Sequence, residues 1–402
     1  MKKLGTICCI FVSVVVLIFS SYSKPKAQST EVETLKIGSL RCLTGWFSPL
    51  DAQDERELRI EAQLINEKGG ITVKGKRYNI EIVTEDTQST LDGARSAANK
   101  LIFKDKVKFV VETVDIFTFG SNELFTQNKI IHVCPCNVLA PNSMGPNTPY
   151  KFIGDAIIYG DFIGVFKALK KFYPAVKTYA QIQPDDGSIP AITAILDDLA
   201  KRDGYTRVGD VVPYANETVD FSSITAKLNA IKGVDCVIQP TGIAQHMGPI
   251  VKQYRQLGND ALYCYVMGSQ GSDIVEIAGP EAATNLFGIK ITSDAPDNPP
   301  LIKELVKATV TKYGPSAMTG SCANSLYVLL EAIKAAQSLD PVVVKAKWET
   351  MDTIDTLFGP GTMGGEKLYG LKNHANAHPL PVQQVMNGKV TSRGYVDIGR
   401  IP

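Results

Sequence analysis

The stretch Leu35-Lys36-Ile37-Gly38-Ser39-Leu40 decides the fold class. It is a short β-prone run that feeds Leu43-Thr44-Gly45 and then a long helical pattern closing on Ile65-Asn66-Glu67-Lys68-Gly69-Gly70. Glycine ends a helix there because left-handed geometry costs it little. Strand, turn and helix in that order open an α/β unit.

Working outward, the same alternation recurs along the chain. Strands are expected at Leu35 to Leu40, Ile80 to Thr84, Lys108 to Glu112, Ile130 to Cys134, Thr178 to Gln183, Arg207 to Val212, Val234 to Gln239, Leu262 to Met267 and Leu286 to Thr292. Helical periodicity fills most of the gaps, notably Asp54 to Lys68 and Asp92 to Lys104, the latter starting beside the capping residues Ser89 and Thr90. Gly75-Lys76 reads as a turn between strands. This pattern predicts α/β architecture with two Rossmann-like lobes built on parallel sheets.

Length supports two lobes, since 402 residues exceed the usual size of one core. Pro/Gly/Asn clusters at Ala140 to Pro149 and Asp294 to Pro300 mark boundaries. Apolar content of 44% and charged content of 21% describe an ordinary globular chain rather than a disordered one. The start differs: Lys2 and Lys3 precede an apolar run from Ile7 to Phe19 and a small-residue stretch, the pattern of a secretory signal peptide spanning residues 1–27. Cleavage is expected after Ala27, with Ser23 the second choice. The run is shorter than the roughly 20 residues of a permanent span. Cys8 and Cys9 sit inside its beginning, so a lipid anchor is not expected. Without that segment the 42 basic residues fall to 38 against 41 acidic ones, a balance that argues against nucleic acid.

Of eight cysteines, six remain after such cleavage: Cys42, Cys134, Cys136, Cys236, Cys264 and Cys322. Export permits disulfides, but this density is not that of a disulfide scaffold. A bridge from Cys42 to Cys134 or Cys136, free thiols, or a soft-metal site with His132 are the readings these residues leave open. No Cys-x-x-Cys supplies a four-ligand zinc spacing. Gly-x-x-x-x-Gly-Lys-Ser/Thr is absent, and no cofactor is expected. His374 and His378 are four apart, but Asn376 and Pro379 speak against a helix, and a surface or strand-edge pair is the expectation.

A second half of the signature lies far downstream: Val219-Asp220-Phe221-Ser222-Ser223-Ile224, then Lys227-Leu228 and the apolar strand Asp235-Cys236-Val237-Ile238. With Ala97-Ala98-Asn99-Lys100-Leu101, Tyr254-Arg255-Gln256-Leu257-Gly258, Ile277-Ala278-Gly279, Lys312-Tyr313-Gly314 and Leu329-Leu330-Glu331-Ala332-Ile333, the chain resembles the extracytoplasmic solute receptors of ABC importers. The resemblance is to the leucine/isoleucine/valine-binding family, type I periplasmic binding proteins. It covers nearly all of the chain beyond the leader.

The resemblance implies a non-enzymatic, monomeric receptor in the periplasm. It would take a small amino acid or related carboxylate or amide, of branched-chain type by family, and pass it to an inner-membrane ABC permease. It also implies three crossings between lobes, with residues 28–150 and 286–362 in the N-terminal lobe, 151–285 and 363–402 in the C-terminal lobe, and the third crossing near Gly359 to Gly370. A sensor for a signalling partner, a receptor for an aromatic or other organic acid, and a thiol enzyme using Cys134 or Cys136 are the alternatives.

Ligands of open parallel sheets bind beyond the carboxyl ends of the strands. That rule selects Cys42 to Pro49, Thr113 to Gly120, Cys134 to Val138, Pro184 to Ile189, Thr241 to His246 and Gly268 to Ser272. Trp46 and Phe47 could stack on a planar solute or pack under the first helix; Phe117 could do the same or join the core. Thr113, Thr118, Cys136 and Asn137 could grip a carboxylate or amide. The family's serine pair is missing around Thr113, and Cys134-Pro135-Cys136-Asn137-Val138 replaces its Ser-Pro-Ser-Ala-Thr. Ser188 stands where the family often has a tyrosine, and Asp185 or Asp186 could accept from an ammonium or form a turn. His246 opens a helix as a ligand contact or a surface residue. Gln270 sits near the family's acidic residue, and its neutrality weakens the amino-acid reading.

Overall fold

The structure, a computed structural model, describes residues 32–136, 143–314 and 318–402. The expected leader, its cleavage site and Asn137 lie outside them. The first six strands, β1 (Glu33–Arg41), β2 (Ile71–Val73), β3 (Lys76–Asp86), β4 (Phe109–Val111), β5 (Ile131–Cys136) and β6 (Lys151–Ile157), build one sheet. The next six, β7 (Thr178–Pro184), β8 (Thr206–Arg207), β9 (Val212–Tyr214), β10 (Cys236–Gln239), β11 (Leu262–Tyr265) and β12 (Leu286–Gly288), belong to a second. The chain then returns to the first with β13 (Thr353–Thr356), β14 (Gly359–Gly364) and β15 (Ala375–Ala377), and ends in the second with β16 (Leu380–Met386) and β17 (Lys389–Val396).

The pairs β1·β3, β1·β4, β4·β5 and β5·β6 are parallel, as are β7·β10, β10·β11 and β11·β12, with antiparallel strands at the edges. Parallel strands are buried on both faces, which explains uninterrupted runs such as Phe109–Val111 and Cys236–Gln239, in which every residue is buried. Twelve helices complete the described residues: α1 (Ser48–Glu67), α2 (Leu91–Asn99), α3 (Asn122–Gln127), α4 (Tyr159–Phe172), α5 (Ile189–Asp203), α6 (Ser222–Ala230), α7 (Ala244–Gln256), α8 (Gly271–Ala278), α9 (Pro300–Tyr313), α10 (Ser321–Ala336), α11 (Pro341–Trp348) and α12 (Glu366–Tyr369).

Local chemistry sets the ends of these elements. α1 begins earlier than its periodicity suggests, because Pro49 occupies the first turn where a missing N–H costs nothing. Thr90 caps α2 by accepting from Gly93 N, and a π-turn over Lys100–Lys104 carries the expected helix onward. Lys74 and Gly75 both take positive φ, the I′ geometry that closes the tight β2–β3 hairpin.

Sheet membership corrects the expected lobe limits. β6 pairs with β5, and β12 with β11, so the crossings fall between β6 and α4, between β12 and α9, and between β15 and β16, not at 150, 286 and 362. The expected strand to Thr292 stops at Gly288 because its remainder is the second crossing, and that from Arg207 to Val212 splits into β8 and β9. Ile158, at the first crossing, has φ 82 and ψ −75. A β-branched residue in that region stores strain that its surroundings must hold.

A disulfide does not form: all six described cysteines are free and buried. The two C-terminal histidines are interior rather than at the surface. His374 Nδ1 donates to Lys151 O at 2.6 Å, and its Nε2 meets Glu349 Oε1 at 3.0 Å. His378 Nε2 pairs with Asp155 and its ring stacks on Phe358. Asp155 precedes the first crossing and His378 lies on the third, so this pair ties two crossings together.

Candidate functional site

β1 delivers the chain into residues 42–47, and side chains of the β3–α2 connection fasten that loop. Asp86 accepts from Leu43 N at 2.9 Å and from Thr44 Oγ1 at 2.6 Å, and Ser89 Oγ donates to Thr44 O at 2.8 Å. Gly45 has φ +88, and a Cβ there would stand 2.6 Å from Ser89 Oγ, so only glycine allows this approach. The fastened turn leaves Trp46 72% exposed. Its ring meets Phe47 and Phe117 edge-on, each at 5.5 Å, while Phe47 and Phe117 lie 5.0 Å apart. The adjacent Trp46 and Phe47 and the distant Phe117 thus form one aromatic face at the carboxyl end of the first sheet. Phe117 is itself buried, so it serves as the floor and Trp46 as the exposed wall.

The loop after β4 rests on buried charge. Glu112 Oε1 meets His132 Nδ1 at 3.0 Å, Lys151 Nζ lies 3.8 Å from Oε2, and Thr118 Oγ1 donates to Oε2 at 3.3 Å. Burial opposes charge on Glu112, but His132 and Lys151 outweigh it and hold the carboxyl below its ordinary range. Burial likewise pushes His132 down, toward neutral. Ser143 Oγ donates to Asp115 at 2.5 Å, and Ser121 Oγ to Thr118 O at 2.6 Å. Thr118 is therefore a fully buried part of the loop's mooring. Thr113, beside it, keeps its buried Oγ1 without a partner.

Cys134 Sγ donates to Thr113 O at 3.3 Å and to Cys136 O at 2.7 Å. Burial drives both thiols well above their usual range, and His132 bonds Glu112 instead of either sulfur. Burial thus favours the protonated thiols, and His132, the base nearest in sequence, is engaged with Glu112 rather than placed to activate them. Among the described residues no group of three His, Cys, Asp or Glu could hold a metal ion.

On the second lobe, Ser188 Oγ donates to Asp186 Oδ1 at 2.5 Å and accepts from Gln183 Nε2 at 3.3 Å, so its hydroxyl serves the turn. Gln270 caps α8 in a reciprocal box with Asp273, and its Nε2 donates to Met318 O at 3.0 Å. Met318 precedes α10, which packs on β5, β6 and α1, so this bond joins the two lobes. His246 is buried, not at the surface, with its ring against Tyr214 at 5.4 Å and Phe221 at 5.7 Å and its Nδ1 without a partner.

Trp46, Phe47 and Phe117 therefore come together, and Thr113 and His246 keep buried polar atoms available. Thr118 and Ser188 are occupied within their own loops, Gln270 by its cap and by Met318 O of the first lobe, and Cys136 is buried. Sequence reasoning missed Tyr214 and Phe221 as partners of His246. Tyr214 Oη accepts from Gln239 Nε2 at 2.7 Å, and the extension of β9 to Tyr214 is what brings it there. The surface grooves beside Asn66 and beside Phe172 include none of the strand-end loops.

A family profile described as "Periplasmic binding protein" matches residues 34–389. The fold is similar to that of the branched-chain amino acid transporter substrate binding protein LivJ from Streptococcus pneumoniae, solved with isoleucine (TM-score 0.70, 20% identity, 91% of this chain and 100% of that one). It is also similar to the leucine binding protein LivK from Thermotoga maritima (TM-score 0.69, 20% identity, 90% and 99%). A solute binding protein of an ABC transporter from Rhodopseudomonas palustris, solved with 4-hydroxybenzoate, matches with TM-score 0.68 and 16% identity over 91% of this chain and 96% of that one.

Proposed function

We propose, from the premise that the chain belongs to the periplasmic binding protein family, that it captures a small solute between its lobes and delivers it to an inner-membrane ABC permease. Closure would follow because the solute contacts both lobes only when they meet, and that differential affinity shifts the equilibrium. The solute would be an organic acid with a planar, apolar body. The observation that carries this reading is the Trp46–Phe47–Phe117 face, whose outer ring stands 72% exposed where a strand-end ligand belongs.

The carboxylates of these loops support it. Asp86, Glu112, Asp115, Asp186 and Asp273 all accept from their own loops or caps, which leaves them poor partners for a ligand ammonium. An ammonium stripped of water needs such a partner. Thr113 Oγ1 and His246 Nδ1 instead offer neutral hydrogen-bonding atoms suited to a carboxylate or hydroxyl. A second reading, a branched-chain or other amino acid, has one observation in its favour: Asp185, beside β7, is exposed.

Thermal melting of solute-stripped protein tests both. A ligand at 100 times its dissociation constant adds about 2.7 kcal/mol, a shift of several degrees. Benzoate or 4-hydroxybenzoate should raise the melting temperature, and leucine, isoleucine and valine should not. Stabilisation by those amino acids, abolished by Asp185→Asn, would establish the second reading instead.

A further inference from the structure

Beyond β17 the chain leaves the second sheet and docks on the first lobe. Gly365 N donates to Ile401 O at 3.0 Å, Leu368 N to Pro402 O at 3.3 Å, and Thr362 Oγ1 to Gly399 O at 3.1 Å. Arg400 Nη2 donates to Glu366 Oε1 at 2.8 Å and Asn373 Oδ1 at 2.7 Å, and its Nη1 lies 3.8 Å from Asp352. All six partners (Asp352, Thr362, Gly365, Glu366, Leu368 and Asn373) lie around β14 and α12, whose sheet is the first. Ile401 is 1% exposed and Ile398 is 5% exposed.

The fit is built in from both sides. A Cβ on Gly364 would stand 2.1 Å from Ile401 O, so the first lobe keeps a glycine where the segment crosses. Ile398 and Ile401 share one buried cluster with Ile153 of the first sheet, Ile158 and Phe162 at the first crossing, and Leu380 just past the third. Residues 397–402 thus span the same junction as the covalent crossings, but hold the first lobe through hydrogen bonds, two ion pairs of Arg400 and two isoleucines.

We propose that residues 397–402 act as a fourth, non-covalent connection between the lobes, a strap that restrains their opening. It rests on the two-lobed receptor reading but needs no particular solute. The strap is docked in the arrangement in which Gln270 of the second lobe reaches Met318 O of the first. It favours that arrangement by the contacts that would be lost on wider opening. A restraint at the hinge lowers the free-energy gap between the solute-free and closed states, and so raises apparent affinity for whatever closes the cleft.

The test is a distance measurement across the cleft. In a chain beginning at Gln28, Asp92→Cys at the start of α2 and Val219→Cys before α6, both exposed, accept spin labels, while the six remaining native thiols are buried. Distances by pulsed electron paramagnetic resonance are then compared, without solute, among the full chain, a chain lacking residues 398–402, and the full chain carrying Arg400→Ala. The strap predicts that truncation adds a population longer by more than about 2 Å, the scale of hinge motion, and that Arg400→Ala adds a smaller fraction of it. Identical distributions in all three would overturn it. If the truncated chain loses its cooperative melt while Arg400→Ala melts normally with unchanged distances, the segment is first-lobe core and the proposal fails. A receptor that binds none of the acids tested, yet opens wider without the segment, would sink the solute reading and leave the strap standing.

Discussion

The two strand-end faces of this molecule are built differently. The first lobe sets Trp46, Phe47 and Phe117 over a buried ionic base of Glu112, His132 and Lys151. The second spends its polar side chains on its own turns and on the junction, with Ser188 on Asp186 and Gln270 on Asp273 and on Met318 O of the first lobe, and leaves His246 packed among aromatics. One face offers apolar area on a rigid mount, and the other offers preorganised loops with little free polar capacity. On the proposed function, the first lobe would supply the grip on the solute and the second would supply closure.

The comparison breaks most visibly at its ionic base. Lys151→Met leaves Glu112 buried without its ammonium, and removing one member of a buried pair costs about 3–5 kcal/mol. Urea denaturation should show that loss, and a change below about 1 kcal/mol would mean Glu112 is neutral and the base is not ionic. Next, Trp46→Ala should weaken solute binding by about 1–3 kcal/mol while the melting temperature of the free protein barely moves. His246→Ala should cost less affinity and more stability, because its ring is buried against Tyr214 and Phe221. An equal affinity loss at both positions would erase the asymmetry between lobes.

A pH effect sharpens the role of the hinge between the faces. Burial opposes the charge of His378, but Asp155 and the carbonyl of Pro379 overcome it and raise its pKa. The folded state therefore holds the proton more tightly than the unfolded one. Its stabilisation is complete below the unfolded value of about 6.5 and is lost as pH rises through the higher folded value. The stability difference between the protein and His378→Gln should narrow from pH 6 to pH 9. A difference that stays constant would assign His378 only its packing on Phe358. Smallest of all, Ser188→Ala should leave affinity within about twofold, as expected of a residue outside the binding hot spot.

Much of this was legible because parallel strands are apolar throughout. β1, β4, β5, β7, β10 and β11 announce themselves, and the strand-end rule then finds the loop of Trp46 and Phe47 and the loop of Phe117. β6, β13, β14 and β15 were hidden. Lys151 and Asp155 charge β6 at both ends, Gly359-Pro360-Gly361 opens β14, and β15 is Ala375-Asn376-Ala377. Their strand character comes from neighbours, which is why the crossings were misplaced. The burial of His374 and His378 depends on Glu349 and Asp155, remote in sequence, so local pattern read them as surface. Ser188 and Gln270 were visible as polar residues in the right loops, but the use of Ser188 within its turn and of Gln270 as a cap are properties of geometry alone.

The most direct test of the central claim is calorimetric titration of solute-stripped protein with 4-hydroxybenzoate and with leucine, repeated on Trp46→Ala. The account predicts one site for the aromatic acid, a negative heat-capacity change from buried apolar area, no heat from leucine, and an affinity loss of about 1–3 kcal/mol in the variant. Tight binding of leucine, unchanged by Trp46→Ala, would contradict it.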